Sequence, residues 1–151
     1  MELEQLDLEL LPLLGALLVI FLLGFLVGPV VRGLTNHIRP YGAWNNDVLA
    51  AGRPIGLLET TVYMLSIISG NPVFIGGWLV FKVAAKWENW AHVVRLPELS
   101  TMDLNSAEFE HRAKFASWLH SRFLIGVLLN ILVGIIGAWS YLQLTKLTCN
   151  A

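Results

Sequence analysis

Three long apolar stretches dominate the chain, at residues 10–31, 55–81 and 123–145, and together they hold one charged side chain, Glu59. A bilayer core of ~30 Å takes about 20 residues of helix at 1.5 Å each, so runs of this length predict membrane-spanning helices. The first follows an acidic amphipathic leader (Glu2, Glu4, Asp7, Glu9). Pro12 suits its first turn, while Pro29 and Gly33 weaken its end near Val31. It does not read as a cleaved signal peptide, which needs positive charge ahead of a shorter apolar run.

The middle stretch is the ambiguous one. Apolar character persists over residues 55–85, roughly 46 Å of helix, which is long for one crossing and short for two. Gly70-Asn71-Pro72 interrupts it. Glycine suits a helix C-terminus, asparagine an N-cap and proline the first position of a new helix, so the triplet predicts a stop, a cap and a restart. Spans are therefore expected at about 10–31, 54–69, 72–90 and 118–145 within a single membrane domain. The second is short for a full crossing and implies either local thinning of the bilayer or a re-entrant path.

The cations test this count. With four crossings, nine of the ten Lys and Arg residues share one side and Lys146 alone faces the other; three crossings split them four against six. Cytoplasmic loops carry the excess of Lys and Arg, so the expected fold is an all-α integral membrane protein, a four-helix bundle with a short hairpin of helices 2 and 3. The alternative is three crossings with a kinked middle helix. Both termini then lie outside the cytoplasm of a bacterial inner membrane, and the polar segment at about 87–117 lies inside it. There, Ser100–Asp103 and Asn105–Glu108 resemble capping boxes. Glu108 with Arg112 and Glu110 with Lys114 are spaced for i,i+4 pairing, predicting a helix that starts near Ser106 and continues into the last span.

Composition narrows the function classes. Hydrophobic residues make up 56% and charged residues 14%, against about 25% charged in soluble domains. A net charge of −1 gives no footprint for nucleic acid. The single cysteine, Cys149, excludes an internal disulfide and a cysteine metal cage. Histidines 111 and 120 sit nine apart and face opposite sides of a helix, and the i,i+4 pair Glu88 and His92 is too few ligands for a firm metal site. No haem, metal or other cofactor is expected.

Small residues carry the clearest pattern. Gly24 and Gly28 form a GxxxG, and Gly126, Asn130, Gly134 and Ala138 repeat every four residues along the last span. Such faces let membrane helices approach closely, either within one chain or between subunits. Glu59, Tyr63 and Ser66 form a thin polar stripe, and an ionisable group inside an apolar span is a functional candidate by default. It can carry a proton or cation, or it can pair with Arg53, Lys82 or Lys86 at the same end of the hairpin. Lys82, Lys86 and Arg122 are candidates for anionic headgroups, or serve topology alone. Trp44, Trp87, Trp90 and Trp118 flank the spans as an aromatic belt would, whereas Trp78 and Trp139 lie deeper and suit packing gaps.

The middle and last spans, with Leu58-Glu59-Thr60-Thr61, Gly70-Asn71-Pro72, Ile75-Gly76-Gly77-Trp78-Leu79, Lys82, Trp87 and Phe123-Leu124-Ile125-Gly126, are similar to uncharacterised small multi-spanning bacterial membrane proteins. That resemblance implies an envelope location and no activity. Strong packing signals beside sparse chemistry point to a non-catalytic accessory subunit or self-associating assembly component, in a homo-oligomer or larger membrane complex. The competing reading is an oligomeric ion or proton channel, or a small transporter, built around Glu59.

Overall fold

A computed structural model describes residues 2–39, 53–94 and 106–149. They form four helices: α1 (Glu2–Thr35), α2 (Arg53–Ile68), α3 (Val73–Val94) and α4 (Ser106–Cys149), with a 3-10 turn at Asn36–Ile38 after α1. The described residues contain no strand and are all-α. Two helical stretches, Leu10–Ile38 and Glu110–Cys149, are long and apolar enough to cross a membrane.

Helix α1 departs from expectation at both ends. The acidic leader belongs to it, so Pro12 lies inside the helix, buried, rather than in its first turn. Nor do Pro29 and Gly33 stop it, and it runs on to Thr35, whose hydroxyl donates to the Val31 carbonyl at 2.8 Å. A proline deletes one backbone donor but leaves the flanking turns bonded, and in a long apolar helix those turns suffice.

The turn between α2 and α3 is built by its three marker residues. Gly70 takes φ +70°, the left-handed region that a side chain disfavours. The Asn71 amide donates back to Ser66 O at 2.9 Å and the Gly70 amide to Ile67 O at 3.0 Å, the paired bonds of a Schellman end. Pro72, with no amide hydrogen to satisfy, precedes Val73, and its carbonyl accepts from Ile75 at 3.0 Å.

Close approaches at glycines fix the helix directions. A Cβ on Gly15 would lie 2.6 Å from Leu144, one on Gly137 2.7 Å from Ile20, and one on Gly126 3.9 Å from Val31, so α1 and α4 run antiparallel. Gly56 faces Asn130, and Gly134 faces Thr60, Tyr63 and Met64, so α2 runs parallel to α4. The contact between Glu59 and Lys82 brings α3 back along α2. The order is up-down-up-down, and α4 touches all three other helices. Arg32, Lys82, Lys86 and Arg122 consequently gather at one end of the molecule and Lys146 at the other.

The burial pattern is inverted relative to a water-soluble domain. Ala16, Ile20, Met64, Val133 and Ala138 form the apolar centre, but Glu59, Thr60, Ser66 and Asn130 are buried with them. Leu14, Leu18, Phe21, Phe25, Leu128 and Leu132 point outward and are at least half exposed. Trp139, expected to fill a packing gap, is 61% exposed, while Trp118, expected in an aromatic belt near the end of a span, is 2% exposed. Residue 139 lies on the side of α4 away from the residues that face α1 (126, 137, 144) and α2 (130, 134), whereas residue 118 follows the inward stripe through 122 and 126.

Beyond the apolar part of α4, Lys114 and Glu110 pair at 2.5 Å with both side chains exposed. The hydrogen bond and charge of Lys114 hold the Glu110 carboxyl below its ordinary value. Because the folded value is the lower one, any stabilisation is present above the ordinary carboxyl range and disappears as pH falls through the folded value. NMR titration is expected to find Glu110 ionising at lower pH than in its Lys114→Gln variant; coincident curves would show that the pair does not persist in solution.

Candidate functional site

The polar stripe of α2 converges with α3 and α4 around one carboxylate. Glu59, 2% exposed, lies a turn and a half into α2. Lys82 Nζ reaches it from α3 and stands 2.5 Å from both carboxylate oxygens, donating a hydrogen bond to Oε2. From α4, Asn130 Nδ2 donates to the same oxygen at 3.3 Å. Oε1 is buried, touched by the ammonium group but receiving no hydrogen bond of good geometry. Lys82 also lies over the Phe123 ring, 5.4 Å from its centre.

Each contact depends on local sequence. Gly56 lets Asn130 in, since a Cβ there would sit 3.3 Å from Nδ2. Gly134 removes the side chain that would strike Tyr63 Cβ at 2.8 Å and the Thr60 carbonyl at 3.2 Å. Thr60 turns its hydroxyl back to the Gly56 carbonyl at 2.8 Å, and Thr61 does the same to Leu57 at 3.0 Å, so neither presents an unpartnered donor to the interior. Tyr63 is fully buried, and its hydroxyl has no hydrogen-bond partner among the described residues.

An isolated ionised carboxylate in an apolar interior costs far more than a small bundle can supply, whereas a paired one is tolerable. The arrangement is therefore an electroneutral tie between α2, α3 and α4. It matters most for α3, whose other inward residues, Ile75, Trp78 and Leu79, offer only apolar contact. Ser66 is buried too, but its backbone carbonyl is occupied by the turn, accepting from the Asn71 amide and the Ser69 hydroxyl.

The remaining sequence candidates fall into place around this tie. Gly24 faces Leu57, Gly126 faces Val31, Gly134 faces Tyr63, and Ala138 is 1% exposed, so these small residues face neighbours within the chain. Gly28 is half-buried. Lys86 is exposed, while Arg122 lies over the Trp118 ring at 5.0 Å. Two contributors escaped the sequence reading. Asn130, grouped with the packing residues, is a carboxylate ligand; its signal was being the only hydrogen-bonding side chain on a face of small residues. Gly137, outside the four-residue repeat, makes the close approach to Ile20.

Among the described residues no three His, Cys, Asp or Glu side chains converge as a metal would require. Trp44, Arg95 and the capping boxes at 100–103 and 105–108 lie outside the described residues or side chains, as do the side chains of Arg53, Trp87, Glu88, Trp90 and His92. No protein-family model, curated protein or solved structure matches this chain.

Proposed function

We propose that the protein is a four-crossing integral membrane component of the bacterial inner membrane, non-catalytic, which serves as an accessory or assembly subunit by offering the outer face of α3 to a partner helix. The membrane assignment rests on the inverted burial: leucine and phenylalanine outside with glutamate and asparagine inside is stable only where the surroundings are hydrocarbon. Cations gathered at one end support a cytoplasmic location for that end and an outer location for both termini.

The observation that carries the accessory role is the bare face of α3. Val73, Phe74, Val80 and Phe81 are 80%, 51%, 71% and 62% exposed. Between them, Gly76 and Gly77 have nothing within 4 Å of where a Cβ would stand. Gly24 and Gly134 are already used inside the chain, so this second small-residue surface remains available for close helix approach. A channel through Glu59 has less support, because Lys82 and Asn130 already neutralise and ligate that carboxylate.

A photocrosslinking residue at Val80 in native membranes is expected to capture a protein helix, either another copy or a different chain. Leucine at Gly77 should abolish the adduct without loss of helicity. Crosslinks to lipid alone would remove the accessory reading.

A further inference from the structure

The end of α1 and the inward stripe of α4 bring Arg32 and Arg122 together, and neither carboxylate whose side chain is described answers them. Residues 118, 122 and 126 recur on one face of α4, and Gly126 meets Val31 of α1. Arg32 is thus set beside the turn of α4 that carries Arg122. The Arg122 guanidinium stacks over buried Trp118, which fixes its position at a cost in conformational freedom already met in the fold. The Trp118 indole N–H has no acceptor among the described residues.

Neither candidate counterion at hand is sufficient. The two carboxylates whose side chains are described, Glu59 and Glu110, are both held by lysines. The C-terminus of α1 contributes roughly half a negative charge, against two full charges on Arg32 and Arg122. Arginine is also suited to two-pronged binding of a phosphate.

Depth identifies the source of that phosphate. Arg32 immediately follows the first apolar stretch and Arg122 immediately precedes the last. In a protein that spans the bilayer, the residues at which two packed apolar helices end lie at the level of the headgroups. We propose that Arg32 and Arg122 form a binding site for the phosphate of an anionic phospholipid, with Trp118 as the platform that holds Arg122. The site rests on the membrane reading and differs from the expected set of Lys82, Lys86 and Arg122: Lys82 is occupied by Glu59, Lys86 is left out, and Arg32 enters.

The test is native mass spectrometry of the full chain in mild detergent, titrated separately with phosphatidylglycerol, phosphatidylcholine and inorganic phosphate. Phosphatidylglycerol is expected to bind about tenfold more tightly than phosphatidylcholine. An arginine near an anionic surface contributes about fivefold, so Arg32→Gln and Arg122→Gln should each weaken phosphatidylglycerol binding by about that factor. Lys86→Gln should change it less than twofold. Arg32 is exposed, so its variant keeps the test open if Arg122→Gln disturbs folding. Equal affinity for the two lipids, or equal losses in all three variants, would overturn the site. Displacement by millimolar inorganic phosphate without preference between lipids would assign it to a soluble ion instead. A chain that stays dissolved without detergent or lipid would overturn the membrane reading itself.

Discussion

Replacing Lys82 with methionine is expected to cost roughly 3–5 kcal/mol of stability, because it strands a buried carboxylate without its cation. Glu59 cannot reach water from its place in α2, and Asn130 supplies only one long hydrogen bond in compensation. Glu59→Gln should cost less, about 1–2 kcal/mol. The lysine left behind is 18% exposed along its side chain and has the length to swing its ammonium group outward. The double variant Glu59→Met, Lys82→Met removes both charges and should return to within about 2 kcal/mol of the parent, as buried pairs exchanged for apolar residues commonly do. Reversible unfolding in mixed micelles measures all three. Losses that simply add in the double variant would show that the two charges are not coupled.

A graded response is expected along the glycines, with Gly134→Ala the most damaging. The new methyl group would meet Tyr63 Cβ at 2.8 Å and the backbone carbonyl of Thr60 at 3.2 Å. Neither can rotate away, so α2 and α4 must separate, at a cost of about 1–3 kcal/mol. Gly137→Ala meets only side-chain atoms, Cγ1 and Cδ1 of Ile20 and Sδ of Met64, with no backbone atom in the way, and should cost less. Gly77→Ala meets nothing and should stabilise the folded chain by about 0.5–1 kcal/mol through helix propensity. Thermal unfolding in one detergent gives the rank order; a Gly77→Ala loss as large as that of Gly134→Ala would contradict the packing described.

Local signals in the sequence were reliable where the physics is local. The break at Gly70-Asn71-Pro72 is a matter of backbone angles and missing amide hydrogens, and those properties belong to the residues themselves. Pro29 misled for the opposite reason. Whether a proline ends a helix depends on what holds the turns beyond it, and here Val31 and Thr35 are buried against neighbours. The tryptophans divided similarly: hydropathy placed Trp118 and Trp139 along α4, but their orientation around the helix set burial for one and exposure for the other.

The sequence by itself determined an all-α chain with four helices and a glutamate within its apolar stretches, because hydropathy and turn chemistry are additive along the backbone. Tertiary structure alone decided which cation answers that glutamate. Lys82 and Lys86, four apart on one face of α3, were equivalent candidates in one dimension, and the level at which α3 passes Glu59 selects Lys82 through geometry that no linear pattern carries. The way each helix packs leaves Gly76 and Gly77 of α3 with nothing beside them while Gly134 of α4 faces Tyr63, so glycines alike in sequence have opposite tolerance to a single methyl group.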